Sequence, residues 1–283
     1  MSNRLTSNYL VVSVLSMFDF DGSVALVAGA SKGIGAATAI AFAESGAAVV
    51  LAARDEDAVR TLADRINAGG GRALGLRADV RDPGSMAEVV DAAVSSYGGL
   101  HLAFNNATDG PMPAPLAEID IDEFDTGIAT NVRGTFLGMK FQIPAMLATA
   151  DERPKAVVNM ASGAALNPVA HLGAYVAGKS AIVGLTRVAA LDYADRGLRV
   201  NVVAPGPILT HHLEAAGPEA QRMAGSATPM RRTGTVEEVA QTVLWLCSPA
   251  ASFVTGAVVP IDGGQSAGTK PARMYRQGEG MSG

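Results

Sequence analysis

Tyr175-Val-Ala-Gly-Lys179 sets a phenol and an amine four residues apart, inside an apolar, alanine-rich run from Leu172 to Ala194 with helical spacing. Side chains at i and i+4 share one helix face, with Cβ atoms roughly 5–6 Å apart. A free tyrosine hydroxyl titrates near about 10 and is a poor base at neutral pH. A fixed ammonium one turn away favours the phenolate, and a tenfold gain in acidity corresponds to about 1.4 kcal/mol. Drawing the phenol towards neutrality therefore takes roughly 3–4 kcal/mol, within reach of Lys179 together with a cationic cofactor in a dry site. Taken alone, the pair fits a packed ring and a solvated amine equally well. Its companions decide.

The first companion is a glycine turn, Gly29-Ala-Ser31-Lys32-Gly33-Ile34-Gly35, lying between an apolar strand pattern and a helical one. Glycines permit a tight turn and close approach of backbone to a pyrophosphate, while a helix N-terminus offers unpaired N–H groups to the anion. The spacing is Gly-x-x-x-Gly-x-Gly, not the commoner Gly-x-Gly-x-x-Gly. Arg54 follows Gly35 by 19 residues, at the end of the second strand pattern. Its planar fork suits a ribose 2′-phosphate, with Lys32 as a second positive charge. This favours NADP(H). Asp55 keeps NAD(H) open, because a carboxylate there can take a ribose hydroxyl; its alternative reading is a helix N-cap ahead of Glu56 and Asp57.

Further polar residues stand where strand patterns end. Asp79-Val80 closes the third, Asn105-Asn106-Ala107 the fourth, and Met160-Ala161-Ser162 the fifth. Asp79 is placed either to touch an adenine amine or to cap the turn before Asp82-Pro83. Ser162 is placed to donate to a substrate carbonyl; no Gly-x-Ser-x-Gly elbow surrounds it, which speaks against a serine nucleophile. Asn131 is a poor helix former inside a helical run, so it is either tolerated at a surface or there for a polar purpose. Pro205-Gly206-Pro207-Ile208-Leu209-Thr210 can lay backbone and a hydroxyl against the carboxamide end of a nicotinamide.

The elements that must position these residues alternate. Apolar runs at Val24–Ala28, Ala48–Ala53, Ala73–Ala78, Leu100–Phe104, Ala156–Met160, Arg199–Val203 and Ala257–Ile261 read as strands. Continuous rather than alternating hydrophobicity implies burial on both faces, as in a parallel sheet. Helical patterns lie between them at Ile34–Ser45, Glu56–Asn67, Ser85–Tyr97, Ile121–Leu147, Leu172–Ala194 and Val236–Cys247. Strand alternating with helix predicts an α/β fold, a Rossmann-type doubly wound parallel sheet of about seven strands. No linker divides residues 22–266, which read as one domain.

Composition limits the function. In 283 residues the net charge is −5, so no nucleic-acid or anionic-membrane surface is expected. One cysteine, Cys247, excludes an intrachain disulfide and reads as an inert core thiol. The histidines His101, His171, His211 and His212 form no cluster with metal-ligand spacing, and no metal is assigned. Residues 1–21 read as an N-terminal extension, with a natural start near Met17. Its apolar stretch from Tyr9 to Phe18 is broken by Ser13 and Ser16, too short for a bilayer and without the marks of a signal peptide. A cytoplasmic location is the expectation. Residues 267–283 read as a flexible tail.

In order along the chain, the glycine turn, Asn105-Asn106-Ala107, Asn131, Ser162, Tyr175 with Lys179, and Pro205-Gly206 with Thr210 resemble the classical short-chain dehydrogenase/reductase family. The likeness spans roughly residues 22–266. It implies an oxidoreductase in which Tyr175 exchanges a proton with the substrate oxygen and Ser162 polarises that oxygen. Lys179 would acidify the tyrosine and bind the nicotinamide ribose, and Asn131 would anchor a proton-relaying water. It also implies cofactor contacts from Asp79, Asn106 and Thr210, and a homotetramer or homodimer built on the Ile121–Leu147 and Leu172–Ala194 helices. Two residues depart from the family pattern: Ala28, where threonine is usual, and Thr108, where glycine is usual. They bear on cofactor affinity and pocket size.

The segment from Leu209 to Arg232 shows little secondary-structure signal and is expected to be a substrate lid, with His211 and His212 facing solvent. Thr108 to Pro115 is expected to form a stiff opposite wall. Neither carries a basic site for a phosphorylated substrate, so a neutral, fairly apolar secondary alcohol or ketone is the expected small-molecule partner.

Overall fold

A computed structural model describes residues 18–110 and 112–268. Seven parallel strands form one sheet in the order β3-β2-β1-β4-β5-β6-β7. They are β1 (Val24–Ala28), β2 (Ala48–Ala53), β3 (Arg72–Arg77), β4 (Leu102–Asn105), β5 (Lys155–Met160), β6 (Leu198–Pro205) and β7 (Val258–Ile261). The helices are α1 (Gly33–Glu44), α2 (Glu56–Ala68), α3 (Pro83–Tyr97), α4 (Ile121–Ile128), α5 (Gly134–Ala148), α6 (Gly173–Tyr193), α7 (His211–Ala215), α8 (Gly217–Ser226) and α9 (Val236–Cys247). The expected doubly wound sheet is present.

Its strands are apolar at almost every position because both faces are covered. Along β2, Val49 and Leu51 turn to a core shared with Phe42 of α1, Val59 and Leu62 of α2, and Val243 and Leu244 of α9. Val50 turns the other way, to Val89 and Val90 of α3, Met139 and Ile143 of α5, and Ala189 of α6. Phe18 and Phe20 also join the first core, Phe20 meeting Phe42 edge-on at 5.4 Å between ring centroids. Packing therefore begins ahead of residue 22. Residues 1–17 and 269–283, which hold most of the expected extension and tail, lie outside the described residues. Cys247 is fully buried, and burial pushes its thiol up to about 12. The stretch Gly173–Arg196 has the length and hydropathy of a membrane span; here α6 lies on the sheet, with Ile182, Thr186, Ala189 and Ala190 buried.

Two expected elements differ. The long helix from Ile121 to Leu147 is interrupted by a π-helical turn, Ala129–Arg133, between α4 and α5. Asn131 is the cause: its Nδ2 donates to the carbonyl of Gly127 at 2.8 Å, one turn back, where a regular backbone bond would fall. The segment after Thr210 is not irregular but folds as α7 and α8. Gly217, at φ +85°, lies where the two helices meet.

A chain of buried amides runs beneath the carboxyl ends of β4 and β5. Asn105 and Gln142 exchange bonds at 3.0 and 2.8 Å, Asn105 donates to Asn159 at 2.9 Å, and Asn159 donates to Thr186 at 2.9 Å. Thr186 passes its hydroxyl proton on to the carbonyl of Ile182 at 2.8 Å. Every member is satisfied, so the chain locks β4, β5, α5 and α6 in one relative position. Asn159→Leu leaves one N–H of the Asn105 amide without its acceptor, and denaturant unfolding should show a loss of about 2 kcal/mol. A midpoint unchanged from wild type would show that the chain contributes no rigidity.

Candidate active site

The sheet reverses direction of winding between β1 and β4, and a cleft of about 590 Å³ opens at the carboxyl ends there. Strand ends at such a switch point are the ordinary ligand crevice of this architecture. The cleft gathers Gly29, Ser31, Lys32, Gly33 and Ile34 from the first turn, and Arg54, Asp79, Val80, Asn106 and Ala107 from the strand ends beside it. Ser162, Tyr175, Lys179, Pro205, Gly206, Ile208 and Thr210 complete it. Gly35 and Asn131 stand just behind this lining.

The glycine turn is built for close approach. Gly29, at φ +81°, has no room for a side chain: a Cβ would lie 2.7 Å from the backbone nitrogen of Ala107. A Cβ on Gly35 would strike the carbonyl of Gly29. Gly33, at φ +57°, is different, because a Cβ there would meet nothing nearer than 3.9 Å and would jut into the cleft. Asn106 ties the turn down, its Nδ2 donating to the carbonyl of Gly29 at 2.8 Å and its N–H to Ala28 at 3.0 Å. The missing hydroxyl at Ala28 is thus offset by an amide from the fourth strand end. No side chain caps α1 and no acidic residue stands in its first turn, so its leading N–H groups face the cleft. That is an anion site by geometry and by dipole.

The positive charges sit at the same end. Arg54 is largely exposed and stands 3.8 Å from Asp109. Asp79 caps the turn ahead of Asp82-Pro83, its Oδ1 accepting from the backbone N–H of Arg81 at 3.0 Å. Arg81 grips its carboxylate through Nε at 3.0 Å and a terminal nitrogen at 2.6 Å, which holds the acid down at about 2. Asp82 caps α3 itself, accepting from Ser85 N–H at 2.7 Å. Asp55 caps α2, accepting from Ala58 N–H at 3.0 Å.

At the other end, Ser162 leaves β5 and caps a 3-10 turn, accepting from Ala164 N–H at 3.2 Å. Lys179 is 1% exposed, and its Nζ donates to the carbonyl of Met160 at 3.1 Å. The same Nζ lies 5.6 Å from the ring centroid of Tyr175. Burial pulls the Lys179 ammonium down to about 7. Burial also raises the Tyr175 hydroxyl above its usual value, and a hydrogen bond with Ser162 pulls the other way. The protein's own groups therefore do not deliver the acidified phenol that the i, i+4 spacing suggests. Desolvation opposes both charges and outweighs their proximity.

Asn131 is fully committed. Its Nδ2 donates to Gly127 and, at 2.5 Å, to the carbonyl of Asp109, while its Oδ1 accepts from Thr108 Oγ1 at 3.0 Å. The departure at Thr108 thus lands a hydroxyl on this amide, beside the cleft. His171 is exposed, at φ +69°, outside the cleft lining. His211, expected to face solvent, instead lines the cleft with its ring nitrogens buried. Arg81 and Thr130 are cleft residues that sequence reasoning passed over, and His211 and His212 line it where solvent was expected. Only His211 left a signal, by following Thr210 directly.

Fit to a dinucleotide can be judged from groups without partners. Among the described residues, the buried side-chain polar atoms lacking a hydrogen bond are Thr130 Oγ1 and both ring nitrogens of His211. Both residues line this cleft. With the open cradle at Gly33 and the uncapped helix, they make a site shaped for a polar, anionic ligand.

A family model described as enoyl-(acyl carrier protein) reductase matches residues 29–266. The chain is 41% identical over 244 residues to a cyclohexanol dehydrogenase of Acinetobacter sp. (strain SE19), covering 86% of this chain and 95% of that one. It is 40% identical to an A-factor type gamma-butyrolactone 1′-reductase (1S-forming) of Streptomyces virginiae, covering 85% and 94%. The crystal structure of a short-chain type dehydrogenase/reductase from Mycobacterium marinum superposes with a TM-score of 0.82 at 35% identity, covering 89% and 99%. The chain is a short-chain dehydrogenase/reductase.

For a short-chain dehydrogenase/reductase, the buried lysine has a measurable thermodynamic signature. With Lys179 at about 7 in the fold and about 10.4 unfolded, the unfolded chain binds more protons between those values. Stability from this group therefore rises with pH across that window, and below it the buried charge opposes folding. Lys179→Met should remove turnover yet raise stability at pH 6 by about 1–3 kcal/mol. A lower melting temperature in the variant would show that the Met160 bond outweighs desolvation.

Proposed function

We propose that the chain is an NADP(H)-dependent oxidoreductase interconverting a secondary alcohol and a ketone. The observation that carries this reading is that one cleft holds an uncapped glycine turn at one end and Ser162, Tyr175 and Lys179 at the other. When bound, the nicotinamide gives or takes the hydride. The remaining work falls to the chain. In reduction the Tyr175 hydroxyl gives its proton to the substrate oxygen, and in oxidation it takes that proton back. Ser162 Oγ donates to the same oxygen and holds it in place. Lys179, fixed by the Met160 carbonyl, supplies positive charge beside the phenol in a site with little water to screen it. Asn131 pins the Thr108–Asp109 backbone against the helix, which keeps that wall of the cleft in register.

NADP(H) is favoured over NAD(H) by charge and by commitment. Lys32, Arg54 and Arg81 all line the glycine-turn end. Asp55, the residue that would hold a ribose hydroxyl, already serves as the N-cap of α2. An incoming 2′-phosphate competes with Asp109 for Arg54, and a 3.8 Å exposed pair is a weak competitor. Around Ser162 and Tyr175 the lining is Thr108, Met160, Ala161 and Pro205, which suits a neutral, apolar substrate. Similarity to a cyclohexanol dehydrogenase supports a cyclic alcohol or ketone as the first to try.

Tyr175→Phe should lower kcat with cyclohexanone and NADPH by at least about 1000-fold while leaving NADPH binding within about twofold. Turnover retained in the variant would remove the phenol from the mechanism. Arg54→Asp should move the ratio of NADPH to NADH affinity towards NADH by about 10-fold or more. An unchanged ratio, read by fluorescence titration, would assign the 2′-phosphate elsewhere.

A further inference from the structure

His211 is the residue that neither the family motifs nor the proposed chemistry absorbs. Its ring lies over the glycine turn: a Cβ on Gly33 would sit 3.9 Å from its Nδ1 and equally far from the methyl of Thr210. The ring lies against His212, with centroids 3.8 Å apart and planes tilted by 43°. His212 is exposed, whereas both ring nitrogens of His211 are buried and have no protein partner. Leaving a buried polar atom without a bond is costly, so a ring with neither nitrogen bonded marks a place where a ligand atom can supply a partner.

What faces that ring defines the ligand. The uncapped first turn of α1 presents N–H groups and the positive end of its dipole, and Lys32 stands beside it. The groups at the glycine turn are donors and a positive charge, which selects an anion; Glu214, on the same helix as His211, is the carboxylate that acts on the ring. Burial, then the neighbouring His212 and Lys32, hold the His211 imidazole below its ordinary value, with Glu214 pulling weakly the other way. At neutral pH the ring is therefore uncharged and has one N–H to give.

We propose that His211 donates a hydrogen bond to the pyrophosphate of the bound dinucleotide, closing the anion site from the side opposite the glycine turn. This rests on the dinucleotide reading above and adds to it a contact from α7. The device is a clamp: α1 supplies backbone donors from below, and His211 supplies a side-chain donor from above.

The test compares wild type with His211→Phe, which keeps a ring beside His212 but removes both nitrogens, and with His211→Gln, which restores an N–H. Binding of NADPH is followed by its fluorescence, and binding of ADP, which carries the pyrophosphate without nicotinamide, by competition. His211→Phe should raise the Kd of both by about 10-fold or more, and His211→Gln should recover most of it. Equal or tighter binding by His211→Phe overturns the proposal, since the ring would then be a bystander or a plug. A loss for NADPH with ADP unchanged also overturns it, because the contact would not be to phosphate. If His211→Phe does not fold, His211→Ala carries the same comparison. A wild-type chain that binds neither nucleotide overturns the dinucleotide reading itself, a result distinct from the other two.

Discussion

A lysine ammonium buried to 1% exposure, with the carbonyl of Met160 as its protein acceptor, is the constraint around which this molecule is arranged. Such a charge is tolerated only if its acceptor cannot move away and if water is kept from the gap. The acceptor belongs to the last residue of β5, a strand paired on both sides. The amine belongs to the middle of α6, a helix bonded through Thr186 to the amide chain that crosses the sheet. Strand and helix are thus fastened to each other by buried polar groups just below the site. The strain of hiding a cation is met by rigidity around it.

That arrangement explains how the two halves of the cleft divide their tasks. In the proposed reaction the anion meets backbone: uncapped N–H groups, a glycine whose missing side chain leaves room, and an amide from the fourth strand end that holds the turn shut. The proposed proton transfer falls instead to side chains on one helix and one strand end, where packing fixes rotamers. Parallel topology puts both sets at the same edge of the sheet, since every strand ends there.

Much of this was legible in the sequence, for physical reasons. Strands covered on both faces are apolar throughout, so their runs appear within about two residues of the observed ends, as for β1 and β2. The glycines of the first turn and the Tyr175/Lys179 spacing are visible because each demands a local geometry. What stayed hidden depends on which partner a polar side chain takes in the fold. The π-helical turn comes from Asn131 bonding to Gly127, yet a lone asparagine in a helical run does not announce which carbonyl it will take. Asp79 is legible as a strand-end carboxylate, but its ion pair with Arg81 is seen only in the fold. The acidity of the tyrosine is the least legible feature. Spacing gives proximity, but burial decides which charges the site tolerates, and burial is a property of the whole fold.

The exposed pairing of Arg54 with Asp109 has a reach beyond its small energy. Asp109 also lends its carbonyl to Asn131, whose amide in turn receives the hydroxyl of Thr108. Arg54, Asp109, Asn131 and Thr108 therefore form one connected set, running from the glycine-turn end of the cleft to the wall beside the phenol. A change at one end of the cleft thus has a bonded route to the other.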